Sequence, residues 1–199
     1  MKNEQLVKEL IDFVEGKIEI NIIYEDLLKG KFDSLLAVYL GDKIRMYGKS
    51  SVLECLKTCG INSSRARYSF WHGVEAYLHL NGYTYNPSKK LYNEWAFQID
   101  IQPSYVSIED EDILNKYINE APKELNKTQK KKWIKNRIKQ DFKYDKTQPR
   151  WVQDPEWPIL DGVPLVFKKQ SKMTLDDERV YYTFYHPITL EEVVITQFY

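Results

Sequence analysis

The residues with the chemistry to hold a metal are Cys55, Cys59, His72, His79 and His186. Structural zinc sites use two close ligand pairs, and only one cysteine pair exists here. Cys55 and Cys59 stand four apart on a predicted helix, where a disulfide is geometrically poor. They read as reduced thiols of a cytosolic protein. His72 and His79 share a helix face seven residues apart. No metal is expected. Gly48-Lys49-Ser50 looks like the end of a phosphate loop, but the glycine required five positions earlier is Lys43. It reads as a turn before a capped helix. No Gly-x-Ser-x-Gly elbow occurs. Glu109, Asp110, Glu111 and Asp112 could ligate a metal or exchange protons, but four acids opening a helix chiefly complement its dipole. No nucleophile, base and oxyanion donor assemble into a set. Catalysis is therefore not expected, and neither is a cofactor.

Charge is the second signal. The 199 residues sum to zero, yet Lys123 to Lys146 carries ten Lys/Arg against three Asp/Glu. The remainder is acidic by seven. Lys130, Lys131, Lys132, Lys135, Arg137, Lys139 and Lys143 could neutralise phosphates, with Trp133 stacking on a base. Against that stands the zero overall charge. The stripe Ile134, Ile138 and Phe142 also accounts for Trp133 beside it. The basic helix reads as a solvated lysine face, and nucleic-acid binding is the second reading. The acidic remainder suits a basic protein partner, and Glu109, Asp110, Glu111 and Asp112 are the candidate partner-binding residues.

The elements that must position these groups are mostly helices, then strands. Leu6, Leu10, Phe13 and Val14 predict a helix over 3–14 that ends at Gly16. Ile22, Leu27 and Leu28 predict a second within 18–28. The apolar run 32–40 predicts a buried helix capped by Asp33 or Ser34, or else a strand. Ser51 and Glu54 form a capping box for a short helix through Thr58. Further helices are expected over 64–80, from Asn86-Pro87 to about Ile101, after a Ser107 capping box, and over 128–142. Then prolines crowd Pro149 to Gln170 and force Asp154 and Trp157 out of helix. Trp151 and Trp157 should lid a core, each indole N–H reaching a carbonyl. A turn at Asp161-Gly162 leads into strands over 163–167, 179–185 and 192–198. The expectation is an α+β fold: a helical part over 1–145 packed on a connector and three-stranded antiparallel sheet over 146–199, as one body.

The opening Met-Lys-Asn-Glu-Gln-Leu has no apolar signal core, and no run approaches the roughly 20 apolar residues of a membrane span. A cytoplasmic protein without membrane contact is expected. Two stretches add a resemblance. Leu10-Ile-Asp-Phe-Val-Glu-Gly-Lys-Ile18 with Tyr24-Glu-Asp-Leu-Leu28 resembles the N-terminus of bacterial immunity-type proteins of polymorphic-toxin systems. Ile101-Gln-Pro-Ser-Tyr-Val106, Pro149-Arg-Trp-Val-Gln153, Glu156-Trp-Pro-Ile159 and Gly162-Val-Pro-Leu-Val-Phe167 are similar to the later part of that group and to YwqG-like proteins. Some YwqG-like proteins pair cysteines in the C-terminal hairpin. The turn here reads His186-Pro-Ile-Thr-Leu-Glu191, without cysteine, so the resemblance implies no metal. It implies neutralisation of a cognate protein toxin by binding, and no catalytic residues.

Overall fold

Helices come first and strands last because the apolar period changes from about 3.6 to 2 near residue 150. The computed structural model describes residues 2–38, 51–171 and 178–198. The fold is α+β, with eight helices among the described residues and a C-terminal three-stranded antiparallel sheet. The candidate phosphate-loop residues 48–50 lie outside the described residues. By its contacts the chain divides into two units, Met1–Ala96 and Phe97–Tyr199. The expected boundary at 145/146 therefore falls inside the second unit.

The first unit holds α1 (Lys2–Val14), α2 (Ile20–Leu28), α3 (Asp33–Leu36), α4 (Val52–Cys59) and α5 (Ser64–Leu80). Two tight C-terminal turns join the first three helices. Gly16 and Gly30 sit at φ +80° and +79°, and the N–H groups of Lys17 and Lys31 reach back to Asp12 and Asp26 carbonyls. This is the glycine-closed helix end expected for Gly16. Leu6, Leu10, Phe13 and Val14 are buried as the period required. In α2 the phase differs from expectation. Ile20, Ile23 and Leu27 are buried, while Ile22 and Leu28 face solvent. The stretch after Phe32 is helical only through Leu36, and Asp33 does not cap it. Residues 39 and 40 lie outside the described residues. The Ser51–Glu54 capping box is present.

The helix expected from Asn86-Pro87 begins later, as α6 (Lys90–Asp100). Long-range hydrogen bonds explain the delay. The Glu15 carboxylate accepts from the Asn86 N–H at 2.9 Å, and the Val14 carbonyl accepts from Ser88 N–H at 2.9 Å. These bonds hold the chain extended across the end of α1.

The second unit contains α7 (Glu111–Glu120), α8 (Lys127–Asp141), β1 (Ile159–Leu160), β2 (Val163–Pro164), β3 (Val166–Gln170), β4 (Arg179–Tyr185) and β5 (Glu192–Phe198). β1 and β2 form a two-residue ribbon around Asp161-Gly162, both at positive φ. That is the geometry of a tight hairpin turn. The main sheet runs β3-β4-β5. Val180, Tyr182 and Phe184 point into a core shared with Leu114, Ile134, Ile138 and Phe142 of the two helices. Each fully buried side chain of this kind contributes about 1.5–3 kcal/mol.

Trp157 is 5% exposed and sits among rings. Phe184 lies 5.2 Å away and Phe142 5.6 Å away, both edge-on. Its indole donates to the Leu165 carbonyl at 2.7 Å, and the Trp151 indole donates to Tyr105 at 2.9 Å. Both tryptophans thus behave as lids with satisfied N–H groups. Truncation of Trp157 to Ala should cost about 3–5 kcal/mol in a denaturant titration.

Three side chains of the sheet fasten the connector that carries these tryptophans. Gln170 accepts from Arg150 N–H at 2.8 Å, and the Tyr182 hydroxyl donates to the Arg150 carbonyl at 2.9 Å. Gln197, only 1% exposed, accepts from Val152 and Gln153 N–H and donates to the Asp154 carbonyl at 2.8 Å. Val152 N–H keeps the Tyr182 hydroxyl at 3.1 Å, so Gln197→Ala would strand the Gln153 N–H and the Asp154 carbonyl and should cost about 2–4 kcal/mol in the same titration, since each buried unsatisfied group costs about 1–3 kcal/mol.

Candidate functional site: an acidic groove in the second unit

The sequence places four acids at the start of α7, and the structure shows what they adjoin. The turn 107–110 is set by Gln102, whose side-chain oxygen accepts from Ile108 N–H at 2.6 Å. That bond keeps Ile108 non-helical and buried. Ser107 is not the cap, since α7 begins only at Glu111. Asp110 is the N-cap, and its carboxylate accepts from the N–H groups of Asp112 and Ile113 at 2.9 and 3.2 Å.

Opposite this turn lies the connector, held by Gln197 through Val152, Gln153 and Asp154. Between them opens a groove of about 610 Å³. Glu109 and Asp110 line it from the helix turn, and Asp154 and Glu156 from the connector. Ile108, Ile113, Trp157 and Ile159 supply its apolar lining. Of the four expected partner-binding residues, Glu109 and Asp110 thus enter the groove. Glu111 and Asp112 continue into the first turn of α7 and are not among its lining residues. Asp154 and Glu156 were missed in the sequence, where the tryptophans and prolines around them dominate.

Ile108 and Trp157 are buried, so the groove presents mostly polar surface with four carboxylates, which suits a cationic side chain. The alkyl stem of Lys or Arg lies on carbon while its head meets carboxylates. Among the described residues, no group of three or more His, Cys, Asp or Glu is placed to hold a metal ion.

The other chemical candidates have local partners. Burial pushes both cysteine thiols up, with the neighbouring Glu54 charge adding to the effect at Cys55. A thiol raised in this way is a weak nucleophile at neutral pH. His186 Nδ1 accepts from the N–H groups of Ile188 and Thr189, at 3.3 and 3.2 Å, and so braces the β4–β5 hairpin. His72 is half-buried beside the Tyr68 ring, and His79 is exposed at the end of α5.

The basic helix α8 opens on an Asn126–Gln129 capping box. Its charges are partly engaged. Lys131 pairs with Asp100 and lies over the Phe97 ring. That ammonium holds the Asp100 carboxyl below its usual range. Arg137 bonds Asp141 at 2.6 Å and Glu120 at 3.3 Å. The same Asp141 accepts from the Tyr117 hydroxyl at 2.9 Å, and burial together with this bond pushes the Tyr117 phenol up. Trp133 is half-buried against the core, so its ring is used internally. Lys127, Lys132 and Lys139 are exposed.

The first unit presents an aromatic stack. Tyr68 lies parallel to Trp95 at 4.7 Å and to Trp71 at 6.0 Å, with Tyr92 edge-on at 5.7 Å. The spacing Tyr68/Trp71 and Tyr92/Trp95, three apart on each helix, carried this signal in the sequence. The Arg67–Glu94 ion pair joins the same two helices.

Comparison with protein-family models, with curated proteins and with solved structures gave no match to this chain. No described helix is long and apolar enough to cross a membrane.

Because Asp110 both lines the groove and caps α7, its two roles separate by substitution. Asp110→Ala should cost about 1 kcal/mol in thermal or denaturant unfolding, whereas Asp110→Asn should retain the cap and nearly all of the stability.

Proposed function

We propose that this protein is a cytoplasmic immunity protein that neutralises a cognate toxin by binding it through the acidic groove of the second unit. The observation that carries this reading is the convergence of Glu109, Asp110, Asp154 and Glu156 from two separate segments onto one groove. Carboxylates at a cleft speed encounter with a basic partner, and they discriminate against acidic ones. The segments that resemble immunity-type proteins supply the class of partner, a protein toxin, and the net charge of −7 outside Lys123 to Lys146 suits one with a basic surface, such as a nuclease. Binding alone blocks such a toxin, so the reading needs no catalytic residue and no cofactor.

The test is co-expression with the product of a toxin gene adjacent to its own, scored by cell survival and by co-purification. Protection with a stable complex is expected. Neither protection nor co-purification, with the protein shown to be folded, would sink the reading. Protection without a stable complex would replace it with an enzyme that modifies the toxin or repairs its damage. A gel shift that weakens steeply with salt and depends on Lys127, Lys132 and Lys139 would instead favour nucleic acid as the partner.

The groove itself is tested by Glu109→Lys, Asp154→Lys and Glu156→Lys combined with Asp110→Asn, which leaves the α7 cap in place. Association with the toxin should slow by about tenfold or more at low ionic strength. The difference from the unaltered protein should shrink as salt is raised, as measured by stopped-flow or surface binding kinetics.

A further inference from the structure

The main sheet has two edges, and the chain treats them differently. Along β3, the chain at Lys143 to Asp145 adds a short parallel ladder: Phe167 N–H donates to Lys143, and Asp145 N–H donates to Phe167. A register break between Phe167 and Lys169 distorts that edge further. The β5 edge meets no further strand among the described residues. Proteins guard such edges with Lys, Pro or bulges. Glu192 to Phe198 contains neither residue type, and its seven pairings to β4 run without a break. Four consecutive residues, Val193, Val194, Ile195 and Thr196, are β-branched and suited to pairing. The single charge, Glu192, is already paired with Lys168.

The hairpin fixes which backbone groups face outward. His186 N–H donates to Glu191, and Leu190 N–H donates to His186, closing the loop in a hydrogen-bonded pair. Antiparallel pairs alternate from there. The N–H and C=O groups of Glu192, Val194, Thr196 and Phe198 therefore point away from β4. Gln153 confirms this phase, since its side-chain amide donates to the Phe198 carbonyl at 2.9 Å. That bond blocks the far end of the edge and leaves Glu192, Val194 and Thr196 open.

We propose that β5 is a self-association edge, at which a second copy of this chain pairs antiparallel across a two-fold axis at Val194. This register uses the three open residues of each copy and makes about six interchain backbone hydrogen bonds. A register centred on Ile195 or Thr196 would need the Phe198 carbonyl that Gln153 occupies. With the axis at Val194, Val193 faces Ile195 of the partner subunit, and Val194 faces its own mate. Glu192 faces Thr196 of the partner subunit, so no like charges oppose each other. Val194 is 53% exposed and Phe198 55% exposed, which provides apolar surface beside the axis. The two sheets would join into one of six strands. A single strand pair buries less than a standard interface, so association is expected in the micromolar range or weaker. The inference is independent of the groove and of the toxin reading.

Sedimentation equilibrium on the full chain tests it. The mass should rise from monomer to dimer with concentration. Val194→Lys places two ammoniums against each other at the axis and should weaken association by about tenfold or more. Ile22→Lys, an equally exposed change in α2, should not. Amide exchange read by NMR on the unaltered chain gives a second measurement that needs no variant. The N–H groups of Glu192, Val194 and Thr196 should gain protection as concentration rises, while Val193 and Ile195 are protected throughout. A monomeric mass up to about 1 mM would overturn the proposal. So would unchanged association of a folded Val194→Lys, or outward amides whose exchange ignores concentration. If Val194→Lys fails to fold, the exchange result decides.

Discussion

The second unit depends on one buried amide. Gln197 has both polar atoms of its side chain engaged with the backbone of a segment more than forty residues earlier. An amide is the side chain suited to this task, since it offers a donor and an acceptor without charge. In a low-dielectric interior those bonds are strong when complete and costly when broken. They fix Val152 to Asp154, and thereby aim the prolines and carboxylates that follow. Tyr182 and Gln170 add bonds from the neighbouring strands, so each strand of the main sheet holds the connector at one point. The tryptophans then seal the core beneath.

That arrangement explains why an acidic groove exists at all. The α7 turn is shaped by Gln102 and the connector by Gln197, so two neutral amides position four carboxylates. Neither segment alone makes a cleft. The apolar lining comes from residues that also belong to the core, above all Trp157 and Ile108. The same connector reaches the end of β5 through Gln153, so the groove and the open strand edge share one brace.

The helical unit is organised differently. Two glycine-closed turns fold α1, α2 and α3 on each other, and the extended stretch 83–89 returns to the end of α1. The Tyr68–Trp95 stack and the Arg67–Glu94 pair then tie α5 to α6. Here local signals and long-range contacts agree for α1 and α4, while the buried phase of α2 and the start of α6 depart from the local signal. At Asn86 and Ser88 the backbone N–H groups go to α1, and the helix starts only at Lys90.

The sequence by itself determined what is local. Helix existence follows from the 3.6-residue apolar period, as in Leu6, Leu10, Phe13 and Val14. The Ser51–Glu54 box and Gly16 mark helix ends through bonds a few residues long. Alternation and the Asp161-Gly162 turn announce the strands, and the prolines keep Trp151 and Trp157 out of helix, which favours the role of a lid over the core. Tertiary structure decided whatever depends on partners distant in the chain. It moved the α7 cap from Ser107 to Asp110, where the carboxylate accepts from the N–H groups of Asp112 and Ile113. It chose Ile20 and Ile23 over Ile22 for burial, because the start of α2 is set by its junction with α1. It brought Asp154 and Glu156 to Glu109 and Asp110, a meeting some forty-five residues apart that no spacing rule encodes. It also left the outer edge of β5 without a neighbouring strand among the described residues, because strand order is a property of the assembled sheet and each strand's own sequence is silent on it.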